Sequence, residues 1–147
     1  GVSTTTGWRD LGYQVFGSAR YLSRTDAGAF DEATVGLGWG VNLYPVTYIG
    51  EVDYRRQFNG PEAFGDINGF FAYHEIDYLI TKGVTALVKY DWQDPNAGVR
   101  NDHLDRYTIG ARLDPYTYLQ VDLQYRWNVA AGDLGQQDFL LILRSWL

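Results

Sequence analysis

Polar and apolar residues alternate with a period of two along nearly the whole chain. The stretch Tyr118–Asn128 is the cleanest case. Leu119, Val121, Leu123, Tyr125 and Trp127 fall on one side, and Tyr118, Gln120, Asp122, Gln124, Arg126 and Asn128 on the other. Successive side chains of a strand point to opposite faces, so this pattern predicts a strand with one dry and one polar side. No helical periodicity of useful length competes with it. The same alternation sets Tyr107, Ile109, Ala111 and Leu113 against Arg106, Thr108, Gly110 and Arg112, and Val84, Ala86, Val88, Tyr90 and Trp92 against Thr85, Leu87, Lys89 and Asp91. It sets Tyr48, Gly50, Val52 and Tyr54 against Glu51, Asp53 and Arg55, and Val35, Leu37, Trp39 and Val41 against Gly36, Gly38 and Gly40. Ala72, Ile76, Tyr78 and Ile80 oppose Glu75 and Asp77. With Leu11–Arg24 at one end and Asp138–Leu147 at the other, this predicts eight strands over residues 11–147, preceded by a leader at 1–10.

The connections alternate in length. Short ones fall at Leu43-Tyr44-Pro45, Thr81-Lys82-Gly83 and Asp114-Pro115. Longer polar ones span Thr25–Asp31, Asn59–Asp66, Asp94–Leu104 and Ala130–Gln137. Aromatic residues gather at strand ends. Trp39, Tyr44, Tyr48, Tyr78, Tyr116 and Tyr118 lie toward the short turns, and Tyr21, Phe58, Phe70, Trp92, Tyr107, Trp127 and Phe139 toward the long loops. Short turns at one rim, longer loops at the other and aromatic belts at two levels are the pattern of an antiparallel up-and-down transmembrane β-barrel. The order predicts short periplasmic turns, longer extracellular loops and both chain ends on the periplasmic side. Membrane-interface aromatics are expected at Trp39, Tyr44, Tyr48, Tyr78, Trp92, Tyr107, Tyr118 and Trp127.

Composition changes this picture little. The chain has 147 residues, is 46% hydrophobic and 16% aromatic, and contains 17 Gly and 12 Tyr, a supply of strand and turn formers. It has no Cys and no Met. Disulfides and thiolate metal sites are thereby excluded, and Gly1 reads as the start of a processed or excised chain. No run of about 18 apolar residues offers a transmembrane helix, which leaves alternating membrane strands untouched. A net charge of −6 argues against nucleic acid as a partner.

The charges sort by face. The polar rows carry Arg20, Arg24, Arg55, Lys89, Arg106, Arg112, Arg126 and Arg144, eight of the 12 cations. They also carry Glu51, Asp53, Glu75, Asp77, Asp91, Asp122 and Asp138, seven of the 18 acids. Buried ions are tolerated when paired and hydrogen-bonded, and eight strands enclose a space just wide enough for side chains to fill. An interior ion-pair network of Glu51, Asp53, Arg55, Glu75, Asp77, Lys89, Arg112, Asp122 and Arg126 is therefore expected, with the glycine row making room for it. A wider ring would instead have a wetted charged face. A soluble barrel or sandwich would bury the Leu, Val and Tyr rows and expose the Arg and Asp rows. Four placements fit poorly: His74 falls on the apolar side, as does Arg56 near a strand end where it can snorkel, Phe16 falls on the polar side, and Leu140, Ile142 and Trp146 give the last strand an ambiguous register.

Strand count, loop alternation and aromatic belts resemble the small eight-stranded outer-membrane proteins of the OmpA and OmpX type. The last strand, Asp138-Phe-Leu-Leu-Ile-Leu-Arg-Ser-Trp-Leu147, resembles the C-terminal signal of such proteins, with Trp146 penultimate where an aromatic residue usually ends the chain. The resemblance implies a bacterial outer-membrane location. It also implies contact with lipid and lipopolysaccharide, and recognition of the last strand by the barrel-insertion machinery. The stretch Arg106-Tyr-Thr-Ile-Gly-Ala-Arg-Leu-Asp-Pro115 is similar to the last strands of larger porin-like barrels, which implies a channel or the C-terminal part of one. The expected role is a non-enzymatic membrane anchor or surface-interaction protein with at most a narrow pore, and no cofactor or metal. An enzyme would have to use His103, in Asn101-Asp102-His103-Leu104-Asp105, and Ser3, Ser18, Ser23 and Ser145 lack a nucleophile motif. Loop carboxylates such as Asp26, Asp31, Glu62, Asp102 and Asp133 read as a solvated rim.

Overall fold

The computed structural model describes residues 2–8, 12–23, 31–58, 65–130 and 133–146, with the backbone alone for 2–8 and 133–134. The described residues contain strands and turns and no helix. The strands are β1 (Val2–Trp8), β2 (Tyr13–Leu22), β3 (Asp31–Leu43), β4 (Val46–Phe58), β5 (Ile67–Thr81), β6 (Val84–Asp94), β7 (Leu104–Tyr116), β8 (Leu119–Ala130) and β9 (Asp133–Ser145). They form one sheet in chain order, each pairing antiparallel with its sequence neighbours. β2–β9 are the eight strands that the alternation predicts. Among the described residues β1 and β9 are the two ends of the strand order.

Four local expectations change. The leader is itself a strand: Val2–Trp8 pairs with β2 from Val2 opposite Ala19 to Trp8 opposite Tyr13. Its Val-Ser-Thr-Thr-Thr run has strand-forming residues but no polar–apolar alternation, so periodicity passes over it. Because β1 runs antiparallel to β2, Val2 lies at the long-loop rim and not at the short-turn rim expected for both chain ends. The turn expected at Asp114-Pro115 lies at Thr117–Tyr118. The β7–β8 register shifts between Leu113 and Tyr116, since Pro115 has no N–H for the ladder, while the Asp114 N–H donates to Gly83 O at 2.8 Å. The long loop expected at Ala130–Gln137 is mostly strand, because β9 begins at Asp133. An extra residue on β9 between Trp127 and Val129 of its partner absorbs the polar, Gly135-containing stretch as a bulge. Residues 24–30 and 59–64, with Arg24, Asp26 and Glu62, lie outside the described residues.

Burial runs opposite to that of a soluble sandwich. Asp122 is completely enclosed, Thr108 is 1% and Leu87 2% exposed, whereas Leu37, Val88 and Leu123 are 54%, 55% and 47% exposed. Gln120, Gln124 and Glu75 are buried as well. The covered face of the sheet is thus the polar one, and the open face is apolar. Phe16 is accommodated on the polar face because its ring fills the space a side chain at Gly38 would occupy. His74 stays on the apolar face; β4 and β5 pair without a register shift around it, Gly50 opposite His74.

Candidate functional site

The register brings the charged rows together on β5–β9. Glu75 lies opposite Lys89, Arg112 opposite Asp122, and Gln120 opposite Arg144. The side chains complete what the backbone positions. Lys89 Nζ is 2.8 Å from Glu75 Oε2. The Arg112 guanidinium reaches Glu75 at 3.5 Å, Asp77 at 3.2 Å and Asp122 at 3.4 Å. Arg144 Nη1 lies 2.9 Å from the other Asp122 oxygen, and Gln120 donates to Asp122 at 2.9 Å. Three carboxylates thus meet three cations, with Arg112 at the hub. Such an arrangement is tolerated in a covered setting because each charge has a partner and the Arg fork serves several acceptors at once.

Of the nine residues expected in the network, Glu75, Asp77, Lys89, Arg112 and Asp122 are joined. The other four lie elsewhere on the same face. Arg126 donates to Gln124 at 3.1 Å. Arg55 packs 4.9 Å from the Phe71 ring centroid and donates to the Pro95 carbonyl at 3.2 Å, which holds the start of the 95–103 loop. Glu51 and Asp53 line a cavity of about 150 Å³ with Phe71, Tyr73, Asp91 and Arg106, nearer the long-loop rim. Neither carboxylate has an ion-pair partner among the described residues. Arg144 and Gln120 are members that periodicity alone could not select; their signal is the β8–β9 register, which the ambiguous last strand conceals.

The apolar face carries a continuous aromatic row. Phe139, Tyr125, Trp127, Tyr107 and Tyr90 follow one another across β9 to β6 with centroids 5.0, 5.8, 5.5 and 5.1 Å apart. His74 extends it, 6.3 Å from Tyr90 and 6.1 Å from Tyr48, and shares a 2.8 Å hydrogen bond with the Tyr48 hydroxyl through Nδ1. Trp39 joins from β3 at 6.3 Å from His74, over Gly50, where an added methyl would lie 2.5 Å from the indole. The imidazole that fits poorly by alternation is therefore enclosed by rings and hydrogen-bonded. Tyr118 stacks on Tyr116 at 5.6 Å at the short-turn rim. Tyr44 and Tyr78 stand exposed at 85% and 50%, and Trp92 lies opposite Ala72.

His103 Nε2 is 3.8 Å from Asp105 Oδ2, and Asp105 accepts a 2.6 Å hydrogen bond from Tyr90. Asp105 shares the apolar face with Tyr107, whereas Ser18, registered with Gly36, lies on the polar one. Among the described residues no three His, Cys, Asp or Glu side chains converge as metal ligands would. No family model matches the chain, and neither the curated proteins nor the solved structures give a match.

Proposed function

We propose that the chain forms the wall of a bacterial outer-membrane β-barrel, a non-enzymatic integral membrane protein whose apolar face meets lipid and lipopolysaccharide. The observation that carries this reading is the inverted burial: Asp122 enclosed and its neighbour Leu123 half open. In water, that arrangement leaves whole rows of Leu, Val and Ile hydrated, at about 25 cal/mol per Å². In hydrocarbon the same rows are solvated, and every charge needs an inward partner. The aromatic row and the stacked Tyr116–Tyr118 pair suit interfacial anchoring. Nitroxide labels at Leu37→Cys and Leu123→Cys in lipid vesicles are expected to collide more with oxygen than with a water-soluble nickel chelate. The reverse order would end the membrane reading.

In the simplest form of the proposal the ion-paired interior leaves at most a narrow path, and the protein serves as an anchor or presents its loops to partners. The edges at β1 and β9, unpaired among the described residues, favour a second reading, a porin-like transport wall whose charged rows face a wider lumen. Bilayer recordings separate the two. Conductance in the nanosiemens range supports the channel, and its absence supports the plugged anchor.

A further inference from the structure

We propose that the open edges are bridged by an odd number of further antiparallel strands, so that β1 and β9 belong to a ring larger than these nine strands. This rests on the membrane reading above and concerns what completes the wall.

Each edge strand has a hydrogen-bonded neighbour on one side only among the described residues. In hydrocarbon an unpaired row of N–H and C=O groups is heavily penalised, so lipid-exposed sheet edges do not occur. In water the same edge is a template for aggregation. The edges therefore need partners, and strand direction decides which. Every neighbour pair is antiparallel, so all odd-numbered strands run the same way. β9 laid directly on β1 would make a parallel seam, foreign to the even-numbered antiparallel rings of single-chain bacterial barrels. β9 laid on β2 would be antiparallel and would close a ring of eight. That edge of β2 is occupied, however, because β1 is registered along it from Val2–Ala19 to Trp8–Tyr13. A second copy fails for the same reason as the direct seam. Two chains inserted the same way up present β9 and β1 pointing in one direction. An odd number of intervening strands restores alternation at both seams and makes the total even.

β9 also states what its new neighbour must look like. Phe139, Leu141 and Leu143 are 87%, 64% and 65% exposed and continue the apolar face. Leu140 and Ile142 share the polar face, opposite Gln124 and Asp122. The adjoining strand is thus apolar outward and also carries apolar side chains inward beside Leu140 and Ile142.

The chain has no Cys, so paired cysteines report proximity cleanly in the outer membranes of cells making the full-length protein. Leu123→Cys with Leu141→Cys, directly opposite on β8 and β9, is the positive control. Leu141→Cys is then combined with Val15→Cys or Ala19→Cys on β2, and with Thr4→Cys or Thr6→Cys on β1. The control is expected to form its disulfide, and the test pairs to remain more than tenfold below it. Backbone amides of 133–145 are expected to exchange as slowly as those of β8. A β9–β2 disulfide at control yield would establish the ring of eight and overturn the proposal. So would a β9–β1 disulfide, within one chain or between two, and so would rapid exchange along β9, which would show a bare edge. Extraction of the protein from the membrane by alkaline carbonate would sink the membrane reading itself. A protein retained in the pellet with a β9–β2 disulfide would sink the larger ring alone.

Discussion

The two halves of the polar face fill their space by different means. On β5–β9 the filling is charge: Glu75, Asp77 and Asp122 are held by Lys89, Arg112 and Arg144 within 3.5 Å. On β2–β4, apart from the Arg20–Glu32 ion pair at 3.2 Å near the long-loop rim, it is shape. Gly36, Gly38 and Gly40 leave a groove on β3, and Asp53 with Ser18, the Phe16 ring and the Gln14 amide settle over the three glycines in turn. A charge network depends on all its members, since removing one strands the others away from water. A groove filled by rings and amides fails through volume, by overlap or by a void. Two halves of one face should therefore break under different substitutions.

The largest effect is expected at the hub. Arg112→Ala removes one partner from each of three carboxylates at once, two of them at most 6% exposed in their side chains, and leaves Asp77 with no cation partner among the described residues. Breaking a covered ion pair from one side costs about 3–5 kcal/mol. Urea unfolding from lipid vesicles, followed by tryptophan fluorescence, measures it. Arg126→Ala, which loses a hydrogen bond to Gln124 and no carboxylate contact among the described residues, is the matched comparison and should cost about 1 kcal/mol. Equal losses at the two arginines would mean that the network has no special standing.

The next effect probes the groove. Gly38→Leu forces a side chain into the place of the Phe16 ring, and overpacking of this kind costs about 1–3 kcal/mol. Phe16→Ala opens the room that the introduced leucine side chain needs. In the double variant the two losses should compensate by about 1 kcal/mol or more relative to their sum, as for residues in contact. Strict additivity would show that Phe16 and position 38 do not share the space.

The contrast between the halves is only partly legible in the chain. The eight alternating strands, the sorting of charges to one side and the glycine row follow from a period of two, because the pleat enforces it wherever the faces differ in polarity. β1 is not legible for the same reason: Ser and Thr on both sides of Val2–Trp8 give the pleat nothing to sort. Membership of the ion-pair network needs one more piece of information, the register. Glu75 and Asp77 could as well have met Arg106 or Arg126. It is the Leu113–Tyr116 shift around Asp114-Pro115, and the bulge near Gln136, that set Arg112 and Arg144 on either side of Asp122. Phe16 looks misplaced in the sequence because a residue is judged by its own row, while the space it fills belongs to the neighbouring strand.

The smallest expected effect is also the sharpest control on the comparison. Asp53 and Asp122 are carboxylates on the same face, and alternation alone assigns both to one network. Asp122 is completely enclosed between Arg112 and Arg144. Asp53 lies over Gly36 beside the Ser18 hydroxyl and has no cation partner among the described residues. Asp53→Asn therefore keeps the shape that fills the groove and leaves no positive charge unpaired, and its cost should be about 1 kcal/mol or less. Asp122→Asn keeps the shape equally well but weakens the hold on two guanidinium groups, and should cost several times more. The same unfolding measurement reads both. If the Asp53 variant were the more damaging, the acids near the long-loop rim would carry a stabilising role that the ion pairs of β5–β9 do not share, and the division of the face into a charged half and a shaped half would have to be abandoned.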